Sequence, residues 1–223
     1  MKKDLTELVF ILDKSGSMSG LEEETIHGFN NMLNEQKASE GECRITTVLF
    51  NHQYNLIHDR IDIQAVNQLT RNEYAVSGYT ALMDAIGTTI NKIKQVQTNT
   101  ALGYRADKVV FVIITDGYEN ASREFSSNQI KALIEEQKKK HDWEFIFLGA
   151  NIDAVETARQ YGINADRAAN YAATKEGTSL NFMMVNETVL SMRQKGQIDE
   201  TYLDEIRKYY ESKGGEEDKP SGN

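Results

Sequence analysis

Lys108-Val109-Val110-Phe111-Val112-Ile113-Ile114-Thr115-Asp116-Gly117 is the stretch whose reading decides the fold. From Val109 to Ile114 every residue is apolar, and all but Phe111 are β-branched. A half-buried strand alternates apolar and polar residues with period two. This run does not alternate. It predicts a strand over Lys108–Thr115 covered on both faces, as in a central parallel sheet. It is the longest apolar run in the chain, and it is too short to span a bilayer.

Strand and helix signals alternate on both sides of it. Leu5–Leu12 reads as a strand ending at Asp13, and Trp143–Leu148 as another closed by Gly149. Cys43–Phe50 and Tyr54–Arg60 are joined by the short polar turn Asn51-His52-Gln53 and read as a hairpin. Ala168–Ala172 reads as a short edge strand. Leu21, Ile26, Phe29, Met32 and Leu33 recur at helical spacing, so Leu21–Lys37 is an amphipathic helix. Leu82, Ala85, Ile86, Ile90 and Ile93 do the same within Ala81–Val96. Ser126–His141, Ala154–Tyr161, Thr178–Gln194 and Glu200–Tyr210 complete the helices.

The pattern predicts an α/β fold. Its central sheet is doubly wound and mostly parallel, with one antiparallel strand near an edge and helices on both faces. Residues 1–211 are expected to form one domain. Residues 212–223 hold Gly214-Gly215, Glu216-Glu217-Asp218 and the sole proline, Pro220, and are expected to be a disordered acidic tail.

The chain has 223 residues, 39 % hydrophobic and 26 % charged, which describes an ordinary soluble globular protein. Its 34 acidic and 25 basic residues give a net charge of -9. That field opposes polyanions, so neither nucleic acid nor a membrane is an expected partner. The only basic triplet, Lys138-Lys139-Lys140, ends a predicted helix, where cations suit the helix dipole. One cysteine, Cys43, excludes an internal disulfide framework and a zinc site built on several thiolates. A reducing, cytoplasmic setting is expected. The basic start Met1-Lys2-Lys3 leads into a run broken by Asp4, Thr6 and Glu7, which is not read as a signal peptide. His27, His52, His58 and His141 are scattered and read as surface or partly packed residues.

In open α/β sheets, ligands bind beyond the carboxyl ends of the strands. Three loops there carry oxygen donors: Asp13-Lys14-Ser15-Gly16-Ser17, Gly78-Tyr79-Thr80-Ala81 and Thr115-Asp116-Gly117. Each has an ordinary reading alone. Ser17 or Ser19 can cap the following helix, Thr80 can cap the next, and Asp-Gly is a common turn. Together they bring two carboxylates and three hydroxyls to one rim: Asp13, Ser15, Ser17, Thr80 and Asp116. Such hard donors suit magnesium or manganese (Mg2+ or Mn2+). Asp153 is expected to cap the helix from Ala154, with Asn151 beside it. Glu119 and Asn120 are expected to be solvated loop residues.

Asp13-x-Ser15-x-Ser17 after an apolar strand, then Thr80 in Gly78-Tyr79-Thr80-Ala81-Leu82, then Thr115-Asp116-Gly117, resembles the metal-ion-dependent adhesion site of von Willebrand factor type A domains. The resemblance runs from about Leu5 to at least Gly149, in motif order and strand context. It implies hydroxyl ligands from Ser15, Ser17 and Thr80. It implies that Asp13 and Asp116 act directly or through water. It also implies a protein partner that presents an Asp or Glu to the metal. Tyr79 stands where many members carry a small residue. The single cysteine resembles the stand-alone intracellular bacterial type more than the extracellular adhesive members.

Two other functions compete. A metal-dependent phosphatase or phosphotransferase also begins with an acid after a strand. However, haloacid-dehalogenase-like sites need a second acid where this chain has Ser15, and phosphoacceptor receivers need paired acids where only Asp13 stands. No base sits near Ser15 or Ser17 in sequence, so catalysis is not expected. The third possibility is a structural module with a vestigial metal site.

Overall fold

The computed structural model of the chain describes residues 4–215. Six strands among these residues form one sheet: β1 (Thr6–Asp13), β2 (Cys43–Phe50), β3 (Tyr54–Asp62), β4 (Lys108–Asp116), β5 (Glu144–Ala150) and β6 (Ala168–Asn170). Their order is β3-β2-β1-β4-β5-β6, and only the β2–β3 pair is antiparallel. The mostly parallel sheet with one antiparallel edge strand is therefore as the sequence predicts.

Among the described residues six α-helices flank it: α1 (Glu22–Ala38), α2 (Leu82–Asn99), α3 (Ser127–His141), α4 (Ala154–Gln160), α5 (Lys175–Lys195) and α6 (Asp204–Ser212). The period of two along the strands sends alternate side chains to opposite faces. Leu8, Phe10 and Leu12 of β1, with Val110, Val112 and Ile114 of β4, pack against α1, α5 and α6. Val9, Ile11, Val109, Phe111 and Ile113 pack against α2, α3 and α4. Val110 to Ile113 are each 0 % exposed, which is why the run in β4 does not alternate.

Some boundaries differ for local reasons. β5 continues through Gly149 to Ala150. A Cβ at Gly149 would stand 2.7 Å from Ile152 and 2.8 Å from Ala154, so this glycine is a point of close packing inside the strand. α5 begins three residues earlier than expected, because the Thr174 hydroxyl accepts the Gly177 N–H at 3.0 Å and caps it. α6 is shorter than expected, and its amino end lies at Asp204. β6 has three residues rather than five. The expected disordered tail lies outside the described residues from Glu216 on. Within it, Ser212 ends α6 and Lys213–Gly215 turn back with N–H groups bonded to Tyr210 and Glu211 carbonyls.

The β3 edge is irregular. Its pairing with β2 shifts register twice, between Ile45 and Thr47 and between Thr47 and Val48. Arg60 takes φ +51° in the first of these bulges and reaches the buried Glu7 of β1 at 2.8 Å. Burial pushes the Glu7 carboxyl up, and Arg60 opposes that shift.

The strand order places the site. The chain lays β1, β2 and β3 toward one edge, then returns to lay β4, β5 and β6 toward the other. Neighbours β1 and β4 thus form the switch point, where connections leave in opposite directions and a crevice opens. Leu12 stands opposite Ile114, so Asp13 and Asp116 end adjacent strands at that crevice.

Candidate metal centre at the switch point

Asp13 closes β1 with its carboxylate buried at 1 % exposure. Its Oδ1 accepts the Ser15 N–H at 2.6 Å, which folds the following loop back over the strand end. Its Oδ2 accepts the Thr115 hydroxyl at 2.7 Å and the Asp116 N–H at 3.4 Å. The Tyr74 hydroxyl donates to the Asp13 carbonyl. Ser15 and Ser17 Oγ lie 3.0 Å apart. The alternate spacing Asp-x-Ser-x-Ser does bring these side chains to one point.

The second loop is tied to the first by backbone. Gly16 N–H donates to the Gly78 carbonyl at 3.0 Å, and Ser77 N–H to the Lys14 carbonyl at 2.9 Å. Gly78 has φ +78°, and the His52 ring lies where its Cβ would be, 2.2 Å away, so no other residue fits there without displacing the ring. Thr80 follows, buried at 3 %. Its N–H donates to Asn120 Oδ1 at 2.9 Å, and its carbonyl accepts from Asn120 and Ala121. Thr80 therefore reaches the rim clamped to the loop after β4.

The third loop brings Asp116, buried at 1 %. The Asn151 side-chain amide donates to its Oδ1. Asn151 holds φ +54°, a left-handed conformation that asparagine adopts more readily than most residues. Gly117 has φ +136°, and a Cβ there would sit 3.1 Å from Ser17 Oγ. This glycine lets the first and third loops approach.

The ordinary capping readings do not hold. Leu21 and Ala81 occupy the amino-terminal cap positions of α1 and α2, and neither Ser17, Ser19 nor Thr80 caps a helix. Glu119 and Ser122 do that for α2. Glu119 Oε2 accepts the Met83 N–H at 2.9 Å and Ser122 Oγ the Asp84 N–H at 3.1 Å. Glu119 is thus a half-buried structural member of the rim rather than a solvated loop residue, whereas Asn120 is exposed as expected although its side chain accepts the Thr80 N–H. Asp153 caps α4 as expected, accepting the Glu156 N–H at 2.9 Å. His58 is also a correction, since it is buried at 5 % with Nδ1 3.0 Å from the Thr47 hydroxyl.

Sequence reading named Asn151, Glu119 and Asn120 near this rim but assigned them no part in it, quoted Thr115 only within the third loop, and missed Tyr74. The only available signal was adjacency, because Thr115 precedes Asp116, and Asn120 and Asn151 each follow a predicted strand end.

The electrostatics bear on what this pocket can hold. Burial pushes the Asp13 carboxyl up. Burial, and secondarily the charge of Asp13, raises Asp116 to about 6. Among the described residues neither carboxylate pairs with a Lys or Arg. No group of three or more His, Cys, Asp or Glu suited to a metal occurs among them either, so the candidate donors are hydroxyls around two carboxylates. Two buried, uncompensated carboxylates beside hydroxyls fit a hard divalent cation, which would supply the missing positive charge. The crevice continues past Ser17, Asp116 and Asn151 to a wall formed by Leu21 and Thr174–Glu176. Tyr79 and Tyr118 stand exposed in the second and third loops.

Fold and crevice together define an open, mostly parallel α/β domain with a candidate site at the sheet's switch point. The von Willebrand factor type A domain model matches residues 7–187, and the chain belongs to that family, whose domains generally serve in protein interaction. Similar solved structures include a von Willebrand factor type A protein from Catenulispora acidiphila (11 % identity, TM-score 0.55, covering 83 % of this chain and 42 % of that one). They also include proximal thread matrix protein 1 from the mussel byssus (12 %, 0.54, 85 % and 46 %). A third is the D319A mutant of the PilB minor pilin from Streptococcus sanguinis (11 %, 0.59, 86 % and 63 %). The chain thus spans less than two thirds of each of these structures, and at such identities the likeness shows the fold alone. No curated protein sequence matches the chain. No helix among the described residues is long and apolar enough to cross a membrane.

Proposed function

We propose that the protein is a divalent-metal-dependent protein-binding module, in which Mg2+ or Mn2+ held at the switch point accepts a carboxylate from a partner protein. The carrying observation is the pair of buried carboxylates, Asp13 and Asp116, with no cationic partner among the described residues, beside the adjoining Ser15 and Ser17 hydroxyls. Ser15, Ser17 and Thr80 would supply hydroxyl oxygens, with Asp13 and Asp116 behind or among them. When bound, the cation supplies a Lewis-acidic position open to a further oxygen ligand. Two carboxylates balance its charge and no more, so an Asp or Glu from a partner is favoured there.

The chain's own residues do the positioning. Thr115 and the Ser15 and Asp116 amides fix both oxygens of Asp13. Asn151 holds Asp116, and Asn120 holds the Thr80 loop. Such committed carboxylate oxygens support a binder rather than a catalyst that uses Asp13 as nucleophile. A reducing, cytoplasmic setting of the bacterial intracellular kind is part of the proposal, supported by the single buried Cys43.

Calorimetric titration with magnesium tests the metal, and partner capture tests the use. The intact protein should bind magnesium. Asp13→Asn and Ser15→Ala should weaken binding by at least tenfold, since the first removes a negative charge and the second a hydroxyl oxygen from the set. A partner should be retained with magnesium and lost with EDTA or in Ser15→Ala. Absence of magnesium and manganese binding at millimolar concentration would overturn the proposal.

A further inference from the structure

A buried phenol lies in the same row of the sheet as Asp116. Asp116 pairs with Ala150 across β4 and β5, and Gly149 with Asn170 across β5 and β6. Tyr171 follows Asn170 and continues that register, its N–H donating to the Gly149 carbonyl at 3.0 Å. Asp116, Ala150 and Tyr171 therefore share one row, and side chains in one row lie on one face. That face looks toward α1 and α5, where Ile114, Ala150 and Tyr171 belong to one packed cluster. Two strand spacings, about 10 Å, separate the outer backbones of the row. Only the small side chain of Ala150 stands between them, so ring and carboxylate can approach across it.

The backbone that carries the ring is fixed. Asn170 accepts the Ala154 N–H at 2.7 Å just before it, and the Ala172 carbonyl accepts the Thr174 N–H at 2.7 Å just after it. The residue is 1 % exposed, and its hydroxyl is sealed from solvent with no hydrogen-bond partner. Buried hydroxyls are rarely left so, because the bonds they gave up to water are not replaced. Burial first, then the charge of Asp116, with Tyr74 and Asp13 behind it, pushes the phenol well above its ordinary range. Tyr171 is thus a neutral donor at pH 7, and Asp116 is the charge that acts on it most.

The other acceptors nearby are committed. The Asp13 carboxylate holds the Ser15 and Asp116 N–H groups and the Thr115 hydroxyl. The Tyr74 hydroxyl is directed at the Asp13 carbonyl. Asp116 accepts from Asn151 on Oδ1, and its Oδ2 accepts from no side chain or backbone group among the described residues.

We infer that Tyr171 is a positioning residue of the proposed metal centre, its hydroxyl turning to the free Asp116 oxygen and fixing that carboxylate for the cation. The inference rests on the metal reading given above. Asn151 and Tyr171 then hold one Asp116 oxygen each. A second lone pair on either oxygen remains for the cation or for a water bound to it. Groups that hydrogen-bond to a ligating carboxylate tune metal affinity without touching the metal.

Calorimetric titration with magnesium and thermal denaturation in EDTA test it on the parent chain, Tyr171→Phe and Tyr202→Phe. Tyr171→Phe should weaken magnesium binding roughly tenfold. It should melt no lower than the parent in EDTA, since it deletes a hydroxyl that the metal-free fold leaves unpartnered. Tyr202 also carries an unpartnered buried hydroxyl, but its charged surroundings are Arg167 and Glu144. Tyr202→Phe should therefore leave magnesium affinity unchanged. Equal binding by the parent and Tyr171→Phe would overturn the inference and leave the metal reading standing. A Tyr171→Phe chain that melts well below the parent in EDTA, or an equal loss of affinity in Tyr202→Phe, would also overturn it. A parent chain that binds no magnesium would remove the metal reading and this inference with it.

Discussion

Asp116 shows how one residue can be unfavourable for the fold while standing in the proposed metal site. A carboxyl raised from 3.8 to about 6 is ionised at neutral pH at a cost on the order of 2–3 kcal/mol. The sign follows from linkage. Below the unfolded value both states are protonated and the cost is absent, and it is fully present above the folded value. Asp116→Asn removes the charge and keeps an oxygen for Asn151. In EDTA at pH 7 this variant is expected to melt several degrees above the parent protein, while magnesium raises the parent's melting temperature and not the variant's. Thermal denaturation of the four samples checks both halves. A variant that melts lower in EDTA would show that the carboxylate stabilises the fold without a cation.

At the scale of elements, the join between α1 and α5 depends on Arg193. Its guanidinium is 2 % exposed and donates to the Gln36 carbonyl and side chain and to the Ser39, Glu40 and Gly41 carbonyls. The last carbonyls of α1 have no partners inside their own helix, and Arg193 supplies them from its neighbour. Arg193→Ala is expected to lower stability by about 3 kcal/mol, read as a drop in urea midpoint with an unchanged slope. Sequence patterning found both helices, because their apolar residues keep a helical period. It could not find this bond, since an arginine on a helix reads as solvated until the partner helix is known. The same distinction holds at the rim. Asp13, Ser15, Ser17 and Asp116 stand out as candidates in the sequence because they sit at short offsets from strand ends, and Thr80 because it lies just before a predicted helix. The roles of Asn151, Asn120 and Glu119 are not legible there, because they arise only when β1, β4 and β5 are side by side. The helix caps were misread for the same reason. Thr80 is a good capping residue locally, but Glu119 and Ser122 arrive from a distant loop and take the role.

For the whole molecule, Cys43 offers a probe of global opening. The thiol is buried at 4 % in β2, and burial pushes it up to about 12, so almost no thiolate forms at neutral pH. Modification by an alkylating reagent is expected to proceed only through unfolding. Its rate should fall on adding magnesium by the factor that binding adds to stability. Rapid labelling of the folded protein, measured by mass, would contradict this burial. The two borders of the sheet carry a different consequence. One is β3, kinked twice by bulges and bearing the charged Asp59, Arg60 and Asp62. The other is β6, three residues long. An incoming extended peptide needs a straight, unpaired row of backbone amides and carbonyls to zip onto. Neither border offers one, so the sheet resists edge-to-edge aggregation and disfavours strand addition by any other chain.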